Sequence, residues 1–109
     1  MINVNGKEIE TDPQGYLANL DDWTEEVATV LSEQDQLVLG EKHWQVINWI
    51  RNYYAENGTA PNLRLLAKLL PADLGEEFGD KQYLFDLFPY GPAKQACRYA
   101  GMPKPTGCV

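Results

Sequence analysis

The stretch "GEKHWQVINWIRNYYAENG", residues 40–58, limits what this chain can fold into more than any other. Trp44, Ile47, Ile50 and Arg51 recur at helical spacing, and Val46, Trp49, Tyr53 and Tyr54 broaden the stripe. Gly58 stops the run. A helix this apolar on one side has to be covered by other elements, which predicts a helical domain around a central helix over residues 41–57. Its aromatic series reads mainly as core.

The segments around it supply the cover. In "DDWTEEVATVLSEQD", Asp22 or Thr24 can cap a helix, and Glu25 and Glu26 favour its first turn. Trp23, Val27, Val30 and Leu31 fall on one face of it. "TAPNLRLLAKLLP" predicts a short helix with Pro61 near its start and Pro71 at its end. Its apolar face is Leu63, Leu66, Ala67 and Leu70, widened by Leu65 and Leu69. "ADLGEEFG" and "DKQYLFDLFP" read as shorter helical pieces, and the aromatic-rich "YLFDLFPYGPAK" reads as packing against the last helix. That helix is "GPAKQACRYAG", with Pro92 at its first position and Gly101 as its cap. At the other end, "INVNGKEIE" predicts a hairpin over about residues 2–11, because Asn5-Gly6 suits a two-residue turn of positive φ. The expected fold is mainly α. It is a small orthogonal helical bundle with a helix-turn-helix-like core, an N-terminal β-hairpin and a flexible C-terminal arm. Residues 1–101 form one domain and residues 102–109, "MPKPTGCV", an arm held extended by Pro103 and Pro105.

Charge narrows the partners. The net charge is −7, from 16 acids and 9 bases. Residues 1–61 hold eleven acids and three bases, whereas the last nineteen residues hold Lys94, Arg98 and Lys104 and no acid. An acidic body argues against nucleic acid as the main partner, while a local basic tail suits a small anion or an acidic protein surface. No apolar run approaches the roughly 18–20 residues that span a bilayer, and "MINVNGKEIETD" lacks the pattern of a secretory signal. The expected location is the cytoplasm, where thiols stay reduced.

The chemistry lies in two cysteines. Ten residues separate Cys97 from Cys108. That spacing fits no zinc signature, and two Cys with one His cannot supply four ligands, so no metal site is expected. Cys97 sits in the last helix with Lys94 three residues before it and Arg98 next to it. Nearby positive charge lowers a thiol pKa, although a lone helical Cys is also an ordinary small buried hydrophobe. Cys108 is penultimate, on a Pro/Gly segment with Lys104 four residues earlier and Gly107 as a joint. The eleven peptide steps between the sulfurs would reach roughly 35 Å extended, so folding back is easy. One thiol could then carry and the other resolve, by thiol–disulfide exchange. His43, beside Trp44, could serve as a base toward a thiol or as a packing or capping residue. Residues 41–57 and 62–70 also have the layout of a helix-turn-helix, with Arg64 and Lys68 facing outward; two bases are few for a DNA-binding regulator.

The motifs "GYL…DW", "HW…I…R.YY", "AP..R.L.K", "YLFDLFPYGPAKQACRYAG" and "PKPTGCV" resemble the DsrC/TusE family of sulfur-relay proteins over nearly the whole chain. The resemblance implies a small helical bundle with an N-terminal hairpin and a mobile C-terminal arm. It makes Cys108 the persulfide carrier. With Cys97 also present, the chain looks like the two-cysteine DsrC branch, the dissociable gamma subunit and co-substrate of dissimilatory sulfite reductase. The arm would then reach the siroheme of the reductase alpha/beta subunits, and Cys97 would close on Cys108 as an internal trisulfide or disulfide. The alternative branch, TusE, relays sulfur toward tRNA thiolation and needs only Cys108. Implied partners are that reductase, upstream sulfurtransferases and a membrane thiol-disulfide oxidoreductase complex. This chain would bind no cofactor, since siroheme and iron–sulfur clusters belong to the reductase. Lys94, Arg98, Lys104 and Gly107 are the expected substrate- or partner-binding residues.

Overall fold

A computed structural model of the chain describes residues 1–105. Two short antiparallel strands, β1 (Ile2–Val4) and β2 (Lys7–Ile9), pair Ile2 with Ile9 and Val4 with Lys7. Their turn is the predicted one: Asn5 and Gly6 take φ of 53° and 85°, the left-handed pair that a tight hairpin turn requires. Five helices follow: α1 (Glu25–Gln34), α2 (Glu41–Asn57), α3 (Leu63–Leu74), α4 (Lys81–Leu87) and α5 (Pro92–Tyr99). A single 3₁₀ turn at Leu20–Asp22 precedes α1, and another at Glu76–Gly79 joins α3 to α4. Among the described residues no helix is long and apolar enough to cross a membrane.

The helix boundaries follow the local chemistry. Thr24, not Asp22, caps α1, its side chain accepting from the Val27 N–H. Gly58 closes α2 in the left-handed conformation. Asn62 caps α3, accepting from the Leu65 N–H, with Pro61 just outside the helix. Pro71, expected to end α3, lies inside it, and the helix continues to Leu74. A proline forfeits one i→i−4 bond, here to the Ala67 carbonyl. The 3₁₀ turn carrying Gly79 packs against Pro71 and that carbonyl, so tertiary contact holds the extra turn.

A helix of only eight residues, α5, sits at the centre. α5 packs against α1, α2, α3 and α4. Its inward face is Ala93, Ala96, Cys97 and Ala100, small residues that let four helices approach closely, joined by the buried ring of Tyr99. The aromatic core is therefore Phe78, Phe88 and Tyr99, all fully buried, rather than the aromatics of α2. α2 buries the aliphatic stripe Val46, Ile47 and Ile50, and Trp44, Trp49, Tyr53 and Tyr54 cover its edges half-exposed. Trp49 stacks on Tyr53 at 5.3 Å and donates its N–H to the Asp73 carboxylate at 2.7 Å.

Trp23 is not part of α1. Its indole N–H donates to the Tyr99 carbonyl (2.7 Å), and the Arg51 guanidinium lies 3.8 Å from the indole ring centre. Arg51 in turn donates to the Ala100 carbonyl (2.7 Å). Two side chains from distant segments thus satisfy the open carbonyls at the end of α5. The sequence "CRYAGM" completes that end. The Gly101 N–H bonds the Arg98 carbonyl at 3.1 Å, and the Met102 N–H bonds the Cys97 carbonyl at 3.0 Å, the paired bonds of a Schellman motif. Gly101 has φ of 72°, and a Cβ there would collide with the Trp23 side chain, so only glycine fits. The chain turned back this way buries Met102 and Pro105 and leaves Pro103 and Lys104 exposed. The arm expected from residue 102 is packed chain at Met102 and Pro105. The expectations for Gly107 and Cys108 lie outside the described residues.

Candidate functional site

Cys97 occupies the third position from the end of α5, where its helical phase directs the side chain inward. It is fully buried, a free thiol whose Sγ–H points at the Pro61 carbonyl at 3.7 Å. Burial pushes its pKa up to about 12. The expectation that Lys94 and Arg98 would lower it is overturned. Those two side chains leave α5 on an adjacent face four residues apart, whereas the thiol is enclosed in apolar surroundings that disfavour the thiolate. The structure assigns Cys97 the chemistry of a small protonated core residue in this conformation.

The basic residues do come together, at a different place. Lys94, Arg98 and Lys104 line one open cleft of about 310 Å³, with Gln14, Tyr16 and Tyr90 completing the walls. The loop before α1 reaches α5 here: the Tyr16 hydroxyl donates to the Lys94 carbonyl at 3.2 Å. The phenol is pushed up to about 12, chiefly by burial and secondarily by the Cys97 thiolate it would face. Beneath the cleft runs a closed polar chain. The Tyr90 N–H donates to Gln95 Oε1 (2.8 Å), Gln95 Nε2 to the Tyr99 hydroxyl (2.7 Å), and that hydroxyl to Asp35 Oδ2 (2.6 Å). Arg98 makes an ion pair with the same Asp35 oxygen. Tyr99 is held neutral, first by burial and then by its bond to the Asp35 carboxylate. This chain explains how Gln95 tolerates burial: both ends of its amide are paired.

Periodicity missed Tyr16, Asp35, Tyr90 and Gln95. They come from three separate segments, and only "GYL" and "YGPAKQ" carried a local hint of them. His43 is a capping residue. Its Nδ1 accepts from the Gly40 N–H (3.0 Å), so Nε2 carries the proton and donates to the Leu87 carbonyl (2.8 Å), with the ring edge-on to Phe88. With both nitrogens committed, it has none for a thiol. Arg64 and Lys68 are exposed on α3. Among the described residues, no group of three or more His, Cys, Asp or Glu is placed to hold a metal ion.

Comparison with known proteins decides the family. The model for "DsrC like protein" matches residues 3–109. The chain belongs to this family. A relative of the DsrC-like family from Photorhabdus laumondii, "Sulfurtransferase TusE", is 50% identical over all of this chain and 98% of its own length. The solution structure of DsrC from Allochromatium vinosum superposes with a TM-score of 0.90 at 56% identity, covering 99% of this chain and 96% of that one. The oxidised gamma subunit of dissimilatory sulfite reductase from Archaeoglobus fulgidus gives 0.83 at 41%, covering 98% and 97%.

Proposed function

We propose that this DsrC-like chain is a sulfur-relay carrier, as the name of its sulfurtransferase relatives suggests for them, and that Cys108 alone takes up and passes on the sulfur. The observation that carries this reading is the burial of Cys97. Of the chain's two cysteines, one is sealed in the core as a neutral thiol, which leaves Cys108 for the chemistry. In each transfer the Cys108 thiolate attacks the outer sulfur of a donor persulfide. The donor's S–S bond breaks, its thiolate leaves, and Cys108 becomes the persulfide with no net oxidation. The partners are an upstream sulfurtransferase and a downstream acceptor, in the cytoplasm, where thiols stay reduced. No cofactor of this chain takes part.

A second reading is favoured by the presence of Cys97 at all, in a chain so similar to solved DsrC structures. The chain would then be the co-substrate of dissimilatory sulfite reductase, whose alpha and beta subunits hold the siroheme and iron–sulfur clusters. Cys97 would leave the core and join a Cys108 persulfide as a trisulfide, releasing two protons and two electrons to the sulfur substrate on the reductase. The two readings part on Cys97→Ala. As a simple relay, the variant transfers sulfur from a persulfide donor at the unaltered rate and Cys108→Ala transfers none. Loss of transfer in Cys97→Ala, with a bridged product about 30 Da above the reduced mass in the unaltered chain, would establish the second reading instead.

A further inference from the structure

The cleft beside α5 has a charge pattern that its own structure leaves open. Of its three cations, Arg98 is matched by Asp35, whose carboxylate also accepts the Tyr99 hydroxyl. Lys94 and Lys104 line the same space, and among the described residues neither has a carboxylate within ion-pair distance. On a body of net charge −7, two unmatched lysines converging on one concave site form a local positive well, and concavity focuses that field. Donors surround it: the lysine ammoniums, the Arg98 guanidinium and the Gln14 amide. At about 310 Å³ the cleft has room for about ten water volumes, enough for a small anion with part of its hydration shell.

We propose that this cleft is a binding site for a small divalent oxyanion of sulfur, of the thiosulfate class, held between Lys94 and Lys104 with Arg98 as the fixed wall. The class of charge follows from the two unmatched lysines. The element rests on the sulfur-carrier reading. Lys104 forms part of the cleft, and Cys108 is four residues further on, so the carrier thiol is tethered within about 14 Å of Lys104 by covalent length alone. Arg98 is a positioning residue: Asp35 neutralises it, and the Asp35–Tyr99–Gln95 chain fixes the floor from which the lysines act.

The test is a titration of the reduced full chain, as Cys108→Ser, with thiosulfate, inorganic phosphate and chloride, followed by backbone amide chemical shifts. Removing the thiol separates this inference from the carrier reading, which stands or falls on sulfur loading of Cys108. Expected are saturable shifts at residues 14–16, 90–98 and 104 with thiosulfate, weakening as salt rises from about 50 to 500 mM. The combined Lys94→Gln and Lys104→Gln variant, both exposed or half-exposed changes that spare the core, should bind about tenfold more weakly or worse. Absence of saturable shifts, equal binding by that variant, or chloride binding as well as thiosulfate would overturn the site. Phosphate binding more tightly than thiosulfate would overturn its assignment to sulfur.

Discussion

In a Cys108→Ser variant, Cys97 is the one remaining cysteine, and its alkylation rate reports its surroundings alone. Burial lifts its pKa from an ordinary 9.0 to about 12. The reactive species is the thiolate, so at neutral pH its population falls by about a thousandfold relative to an open thiol, one decade for each unit. Enclosure acts in the same direction, because a reagent reaches the sulfur only when α5 and the residue 61 loop part. Maleimide labelling followed by intact mass should be at least about a thousandfold slower than for a cysteine in an unstructured peptide, and should reach the peptide's rate in denaturant. Labelling within tenfold of the peptide rate under native conditions would refute the placement of Cys97 in the core. It would also remove the ground for assigning sulfur carriage to Cys108 alone.

The same burial contributes to loss of stability at alkaline pH, alongside the buried phenols of Tyr16 and Tyr99. Cys97 has a folded pKa above its unfolded one, so its contribution is complete below about pH 9 and is lost as pH climbs toward 12, at up to about 1.4 kcal/mol per unit. Urea denaturation at stepped pH should show that slope, and Cys97→Ala should flatten its onset; an unchanged slope contradicts the assignment. Tyr99→Phe leaves the Gln95 amide and the Asp35 carboxylate each short of a partner, at a cost of about 1–3 kcal/mol in denaturant unfolding. Combined with Asp35→Asn the losses should fall short of additive, since both changes break one network. Arg51→Ala removes the bond to the Ala100 carbonyl and the stacking on Trp23, and should cost about 2–4 kcal/mol; Arg51→Lys should restore little, lacking the planar guanidinium.

The sequence disclosed what local rules govern. Asn5-Gly6, Gly58, Pro92 and Gly101 each need a particular backbone conformation or tolerate a missing N–H, and each sits where its chemistry placed it. Pro71 shows the limit of such a rule, because packing by the following turn outweighs one lost hydrogen bond. Trp23 and Arg51 fall in apolar stripes by spacing, yet their polar ends serve carbonyls more than forty residues away. The cleft was legible only in part. Periodicity puts Lys94 and Arg98 on one face, but it says nothing of Asp35 or Tyr16, which tertiary structure brings to that face. Reading Cys97 as activated by its basic neighbours failed for a related reason: adjacency in sequence overlooks that residue 97 points into the core while residues 94 and 98 point away from it.

As a sulfur-relay carrier, this chain is proposed to hold the transferred sulfur on Cys108. Intact mass of the reduced protein after incubation with a persulfide donor tests it most directly. The expected result is a gain of about 32 Da, one sulfur atom, that persists in Cys97→Ala and vanishes in Cys108→Ala. No gain on the unaltered chain, or a gain that survives Cys108→Ala, would contradict it.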